Sequence, residues 1–187
     1  MSMGWTMDGT LDPDEALRLL DHLSGESGND FAMMIENKGA VVEGESERRY
    51  EDGKKRMDIG GYIYVAEVVT PPGSTKGRVR TKGLFIVRDC DAATASIASL
   101  MKSQDSEIKV TLSVFKAGGD PSKDMQPMLE FVLEGARLAL HSILTGGRPK
   151  QPREIVCFDY RQIEIRSAPQ QATGQRAAVR TCTFTNA

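Results

Sequence analysis

Few side chains in this sequence could do chemistry. Its two histidines, His22 and His141, stand more than a hundred positions apart, so no HExxH or HxH pair can form and no histidine triad for a metal can be assembled. The three cysteines, Cys90, Cys157 and Cys182, contain no CxxC pair. Their odd number points to reduced thiols in a cytoplasmic folding environment, packed as small hydrophobes. Asp89-Cys90-Asp91 sets a thiol between two carboxylates, which raise its pKa and make it a poor nucleophile. His141 falls in a long strand pattern, out of phase with Leu140, and is expected to be a strand-surface or interface side chain rather than a general base. No GxSxG, Walker or GxGxxG pattern occurs, and Gly118-Gly119 and Gly146-Gly147 are expected to be turns needing positive φ. The residues therefore predict no enzyme, no cofactor and no metal site.

What remains is charge. Residues 44–58, GESERRYEDGKKRMD, interleave Glu45 and Glu47 with Arg48, Arg49, Lys54 and Lys55. Such mixing suits a solvated loop or an ionic contact with another copy of the chain. GGRPKQPR gathers Arg148, Lys150 and Arg153 but has no aromatic residue between them on which a base could stack. The formal net charge of −2 carries no overall attraction for nucleic acid or an anionic membrane. No stretch approaches the roughly 20 apolar residues a membrane helix needs. The opening MSMGWTMDGT has neither a basic nor an apolar signal region, so export by a standard signal and membrane insertion are not expected.

The elements that must position these groups are mostly strands. LDPDEALRLLDHLSG begins with Asp12 as N-cap and Pro13 at the first helical position. An apolar stripe of Ala16, Leu17, Leu20 and Leu23 then runs to Gly25. This amphipathic helix must dock somewhere, because one so short is marginal alone in water. SGESGND then acts as a joint, separating an extension, residues 1–29, from a domain, residues 30–187. The 187 residues are enough to bury a core without disulfides. DAATASIASLMKSQ predicts a second helix opened by Asp91, with Ile97, Leu100 and Met101 on one face. FAMMIE, GYIYVAEVVT, GRVRTKGLFIVRD and EIKVTLSVFK predict strands, with a hairpin through PPGSTKG.

Two later stretches change phase. In MLEFVLEGARLALHSIL the odd positions Leu129, Phe131 and Leu133 give way to the even positions Leu138, Leu140 and Leu144, with Gly135 at the switch. A β-bulge there would keep both sets on one face. EIVCFDYRQIEIR repeats the change, from Val156, Phe158 and Tyr160 to Ile163 and Ile165. Two long bulged strands predict a curved sheet closing as a barrel or sandwich.

In order along the chain stand Gly44-Glu45-Ser46, Asp91-Ala92-Ala93-Thr94, Val110-Thr111-Leu112, Lys116-Ala117-Gly118-Gly119, Ile163-Glu164, Pro169-Gln170 and Gly174. This succession, over roughly residues 30–187, resembles the Hcp (haemolysin-coregulated protein) family, tube subunits of the bacterial type VI secretion system. The resemblance implies a mainly β fold: a small closed or split β-barrel of two antiparallel sheets with one flanking α-helix, here preceded by the amphipathic helix. It implies hexameric rings stacked into a hollow tube, driven out by a contractile sheath together with the spike protein VgrG and carrying effectors in the lumen. The subunit would be cytoplasmic before assembly and then secreted through the system without a signal peptide. On this reading Glu45, Glu47, Arg48, Arg49, Lys54 and Lys55 meet the next ring. Ile97, Leu100 and Met101 serve lateral contacts, and Leu17, Leu20 and Leu23 dock the extension. Residues 1–29 have no counterpart in the family pattern, and Arg166-Ser167-Ala168 replaces its aromatic before Pro-Gln. A tail-tube subunit of another phage-like contractile particle, or a monomeric β-barrel with a ligand inside, are the other readings.

Overall fold

The computed structural model describes residues 29–48, 50, 52–116, 126–146, 151–168 and 178–186. The helix expected at 12–24, Arg49, and the turns expected within 117–125, 147–150 and 169–177 lie outside the described residues. The stretch from Ile108 to Lys116 shows how the rest is arranged. As strand β8 (Ile108–Lys116), its Val110, Leu112 and Val114 point into the main core while Thr111, Ser113 and Phe115 on the other face are also buried. Both faces are therefore covered, although the sequence alternates as if one were wet.

Strand β1 (Asn29–Asn37) runs antiparallel to the whole of β8, from Asn29 opposite Lys116 to Asn37 opposite Ile108. The short β2 (Ala40–Val41) and β3 (Met57–Asp58) pair with β1 on its other side. Beyond β8 comes the 18-residue β9 (Leu129–Gly146), which belongs to two layers. Its first third pairs with β8 and with β11 (Gln162–Ser167), which carries β12 (Arg180–Thr185). Its remainder pairs with β10 (Gln151–Asp159), followed by β7 (Leu84–Asp89) and β4 (Gly61–Ile63). The fold is thus mainly β, two antiparallel sheets sharing one strand. Among the described residues one helix, α1 (Thr94–Ser103), packs on β9. A separate ribbon of β5 (Ala66–Val69) and β6 (Arg78–Thr81) forms the hairpin expected through PPGSTKG.

The bend falls where the phase change placed it. Between Leu133 and Ala136 the register of β9 against β8 slips, and Gly135 has φ +58°, a conformation that costs glycine little and other residues much. Opposite it, Tyr160 and Arg161 separate β10 from β11, so both long strands turn the corner together. Phe131 and Leu133 before the bulge, and Ala136 and Leu138 after it, reach one core with Val156, Phe158 and Ile163. The expectation for Leu140 and Leu144 is corrected. A second slip, where Cys157 faces Leu140 and Phe158 faces Leu138, leaves Ala139 unpaired. Leu140 and Leu144 consequently pack with Phe85 and Cys157 on the opposite face of the second sheet, and His141 turns inward.

Candidate functional site

The helix and the charged loop are held by different forces. Helix α1 begins later than Asp91, at Thr94, and Asp91 shapes the turn before it: Oδ1 accepts the Ala93 N–H at 2.7 Å, while Thr94 Oγ1 accepts the Asp91 N–H at 3.1 Å. Ile97 and Leu100 face the main core, 0% and 8% exposed, with the half-buried Met101 beside them. Ile97 and Leu100 are therefore consumed by the subunit's own core, because the helix's apolar stripe is the face that seats it on the sheet. The outward face is a ridge of small side chains, Ala95, Ser96, Ala98 and Ser99. At its C-terminal end Asp105 accepts hydrogen bonds from Lys38 Nζ (3.1 Å), Asn37 Nδ2 (2.9 Å) and Ser103 Oγ (2.9 Å). The Lys38 bond, then those from Asn37 and Ser103, hold its carboxyl below the usual range.

Beneath the start of α1 lies a charged cluster that sequence reasoning missed. Arg88 and Glu154 are 1% and 0% exposed and pair at 2.7 Å, and Arg88 also contacts Asp91. His141 Nε2 lies 2.7 Å from the second Glu154 oxygen, and Thr94 Oγ1 donates to the first at 3.3 Å. Because the carboxylate accepts, the ring is held with a proton on Nε2. The signal was present: Arg88 and Glu154 lie two residues from Ile86 and Val156, on the same inward face, in strands that otherwise place apolar residues there. Cys90, beside this cluster, has its thiol pushed up by burial and by the Glu154 carboxylate, the opposite of what a nucleophile needs. Cys157 is buried and pushed up to about 12 by the same desolvation. Cys182 departs from the expected core position, since β12 leaves it exposed.

The charged loop folds onto its own sheet. Tyr50 packs on Phe115 with centroids 5.9 Å apart, and the Arg56 guanidinium lies 4.4 Å over the Tyr50 ring. Arg56 further donates to Ser113 Oγ (3.2 Å) and Asp52 (2.9 Å). These contacts cover the outer face of β8. Arg48 pairs with Asp30 and Lys54 with Glu36, each at 2.5 Å, and Glu45 accepts the Ala92 N–H at 3.3 Å. Glu47 and Lys55 are exposed, and Arg49 lies outside the described residues. Gly44 opens the loop where it crosses β3: a Cβ there would sit 2.5 Å from the Arg56 carbonyl oxygen and 2.8 Å from Met57 Cα. The backbone approach explains the glycine of Gly44-Glu45-Ser46.

The ribbon is the other surface that sequence reasoning did not single out. Val68 and Val79, paired across β5 and β6, are 65% and 51% exposed, and Val69 is 48% exposed. Its signal was the alternation in GRVRT, which leaves one valine outward between two arginines.

A family model described as "Type VI secretion system effector, Hcp" matches residues 33–166, spanning β1 to β11. The chain belongs to the Hcp family. The solved structures with this fold include one described as a type six secretion system protein, 20% identical, TM-score 0.64, over 83% of this chain and 95% of that one. Hcp1 from Salmonella typhimurium is 16% identical with a TM-score of 0.60 over 83% and 95%. Hcp3 from Pseudomonas aeruginosa, described as secreted, is 16% identical with a TM-score of 0.57 over 84% and 97%. At these identities the likeness is one of fold. Comparison with curated proteins returned no match. Hcp proteins are structural, and the chain is not an enzyme.

Proposed function

We propose that this chain is the tube subunit of a type VI secretion system, and that its 30–187 domain closes as a barrel and assembles into hexameric rings stacked into a hollow tube. The carrying observation is the Hcp match across residues 33–166, joined to a ribbon whose valines a lone subunit leaves in water. Lateral contacts in a closed ring are heterologous: one surface of each subunit meets a different surface of the next. The ribbon supplies one side, and the small-residue ridge of α1 takes the place of the buried Ile97 and Leu100 on the other. The loop with Glu45, Glu47, Arg48, Arg49, Lys54 and Lys55 meets the neighbouring ring. A contractile sheath then drives the tube out behind the spike protein VgrG, with effectors in the lumen. The subunit is cytoplasmic until assembly and needs no signal peptide.

The ligand-binding alternative loses support from the interior, which Met33, Ile35, Leu112, Phe131, Leu133 and Phe158 fill. Light scattering of the full chain tests the proposal. A mass six times that of the subunit is expected, and a monomer at every concentration would overturn it.

A further inference from the structure

The outer face of the second sheet is buried, and the described residues that cluster there all lie on that face. Ile155 and Cys157 on β10 are 0% and 4% exposed, and Phe85 and Val87 on β7 are 4% and 6% exposed. Ile63, Leu140 and Leu144 pack around them, so every described member of this cluster comes from one face of one sheet. Side chains on a single sheet face cannot exclude water from one another to that degree; a second layer must lie on them. We propose that this layer is the chain's own segment 12–24, seated by Leu17, Leu20 and Leu23.

Composition and reach select this occupant. Among the stretches outside the described residues, AGGDPSKDM, GRPK and PQQATGQRA are polar; within the first 28 residues MSMGWTMDGT has Met3, Trp5 and Met7 but no helical stripe, whereas residues 12–24 carry a capped apolar stripe of the size the face requires. The chain also leaves β1 at the right place. The Phe31 carbonyl accepts the Ile59 N–H at 3.2 Å, and one residue on, the Gly60 N–H donates to the Val87 carbonyl at 2.8 Å. The start of β1 thus stands beside the strand that borders the cluster. The four residues GESG, 25–28, span about 14 Å when extended. As a helix, residues 12–24 are about 20 Å long. The four strands β4, β7, β10 and β9 are together about 15 Å across, so one such helix covers the face. The extension therefore completes its own subunit's core and leaves the ribbon and the charged loop free to meet other copies.

Cys157 reports on this contact from the middle of the face. In a Cys90→Ser, Cys182→Ser background it is the sole thiol, and an aromatic disulfide reagent measures its access in the full chain. Replacing Leu17, Leu20 and Leu23 together by Asp should speed its labelling by about tenfold or more, with the far-ultraviolet circular dichroism of the sheets unchanged. Equal rates with and without the stripe would overturn the proposal. A second readout survives any failure of that variant to fold. With Leu20→Cys added to the same background, a short bis-maleimide should link positions 20 and 157 within one chain; covalent dimers, or no link, would overturn it. Light scattering separates this from the ring: a monomer with a protected Cys157 would sink the ring and keep the contact, and a hexamer with an open Cys157 would do the reverse.

Discussion

Arg88 and Glu154 bear the largest electrostatic stake in the molecule. Removing one partner of a buried ion pair leaves the other uncompensated, which costs about 3–5 kcal/mol, whereas replacing both with apolar residues is often neutral or better. Arg88→Met is therefore expected to lower stability by about that much, and Arg88→Met with Glu154→Leu to recover only part of it, because Asp91 and His141 then lose their partners too, as measured by denaturant unfolding. Tyr160 sets a pH limit at the other extreme. Its hydroxyl donates to the Lys82 carbonyl at 2.7 Å, and burial pushes its pKa from 10 up to about 12. The folded state thus favours the neutral phenol. Its contribution is complete below pH 10 and is lost as pH rises from 10 towards 12. Tyr160→Phe should flatten that part of the stability curve, read from denaturation midpoints between pH 9 and 11.5. Legibility differed between the two residues: Tyr160 stood in the apolar alternation, but Arg88 and Glu154 looked like ordinary strand charges until β7 and β10 were paired.

Among the elements, β9 and the charged loop depend on two glycines for different reasons. Gly135 needs its positive φ, and an added Cβ would come nearest to the side chain of Arg161, at 3.0 Å. Gly135→Ala is expected to cost about 1–2 kcal/mol, with the fold retained. Gly44→Ala should cost more, because the atoms its Cβ meets include the backbone of Arg56 and Met57, which cannot move without breaking β3 from β1. Thermal unfolding of both variants checks the order. The bulge at Gly135 was readable because it reverses the apolar phase. The slip at Ala139 was not, since Leu140 and Leu144 continue the even phase and only pairing with Cys157 and Phe158 shows which face they occupy.

For the whole molecule, the proposed ring and tube rest on surfaces between copies. If the ribbon makes the lateral contact, Val68→Asp with Val79→Asp should leave a folded monomer, seen as unchanged circular dichroism and a one-subunit mass by light scattering. Charge reversal at Arg48 and Arg49 should instead weaken stacking while single rings persist, visible by electron microscopy as rings without tubes. Unchanged tubes would remove the loop from the interface. Arg48 is already paired with Asp30, so that reversal also tests whether the loop's own seating on β1 is part of stacking.

The β character, the corner in β9, helix α1 and the succession of short motifs that resembles Hcp were legible in the amino-acid order alone, because each is written in local periodicity or in turn chemistry. The sequence also carried no GxSxG pattern, and no HExxH or CxxC spacing, because its two histidines and three cysteines stand far apart along the chain. Only the tertiary structure decided that both faces of β8 are covered, that Ile97 and Leu100 are spent inside the subunit, that Arg88, Glu154 and His141 meet under the helix, and that the outer face of the second sheet is buried. Those outcomes depend on which distant strands lie side by side, and a period of two says that a face is apolar without saying what will cover it.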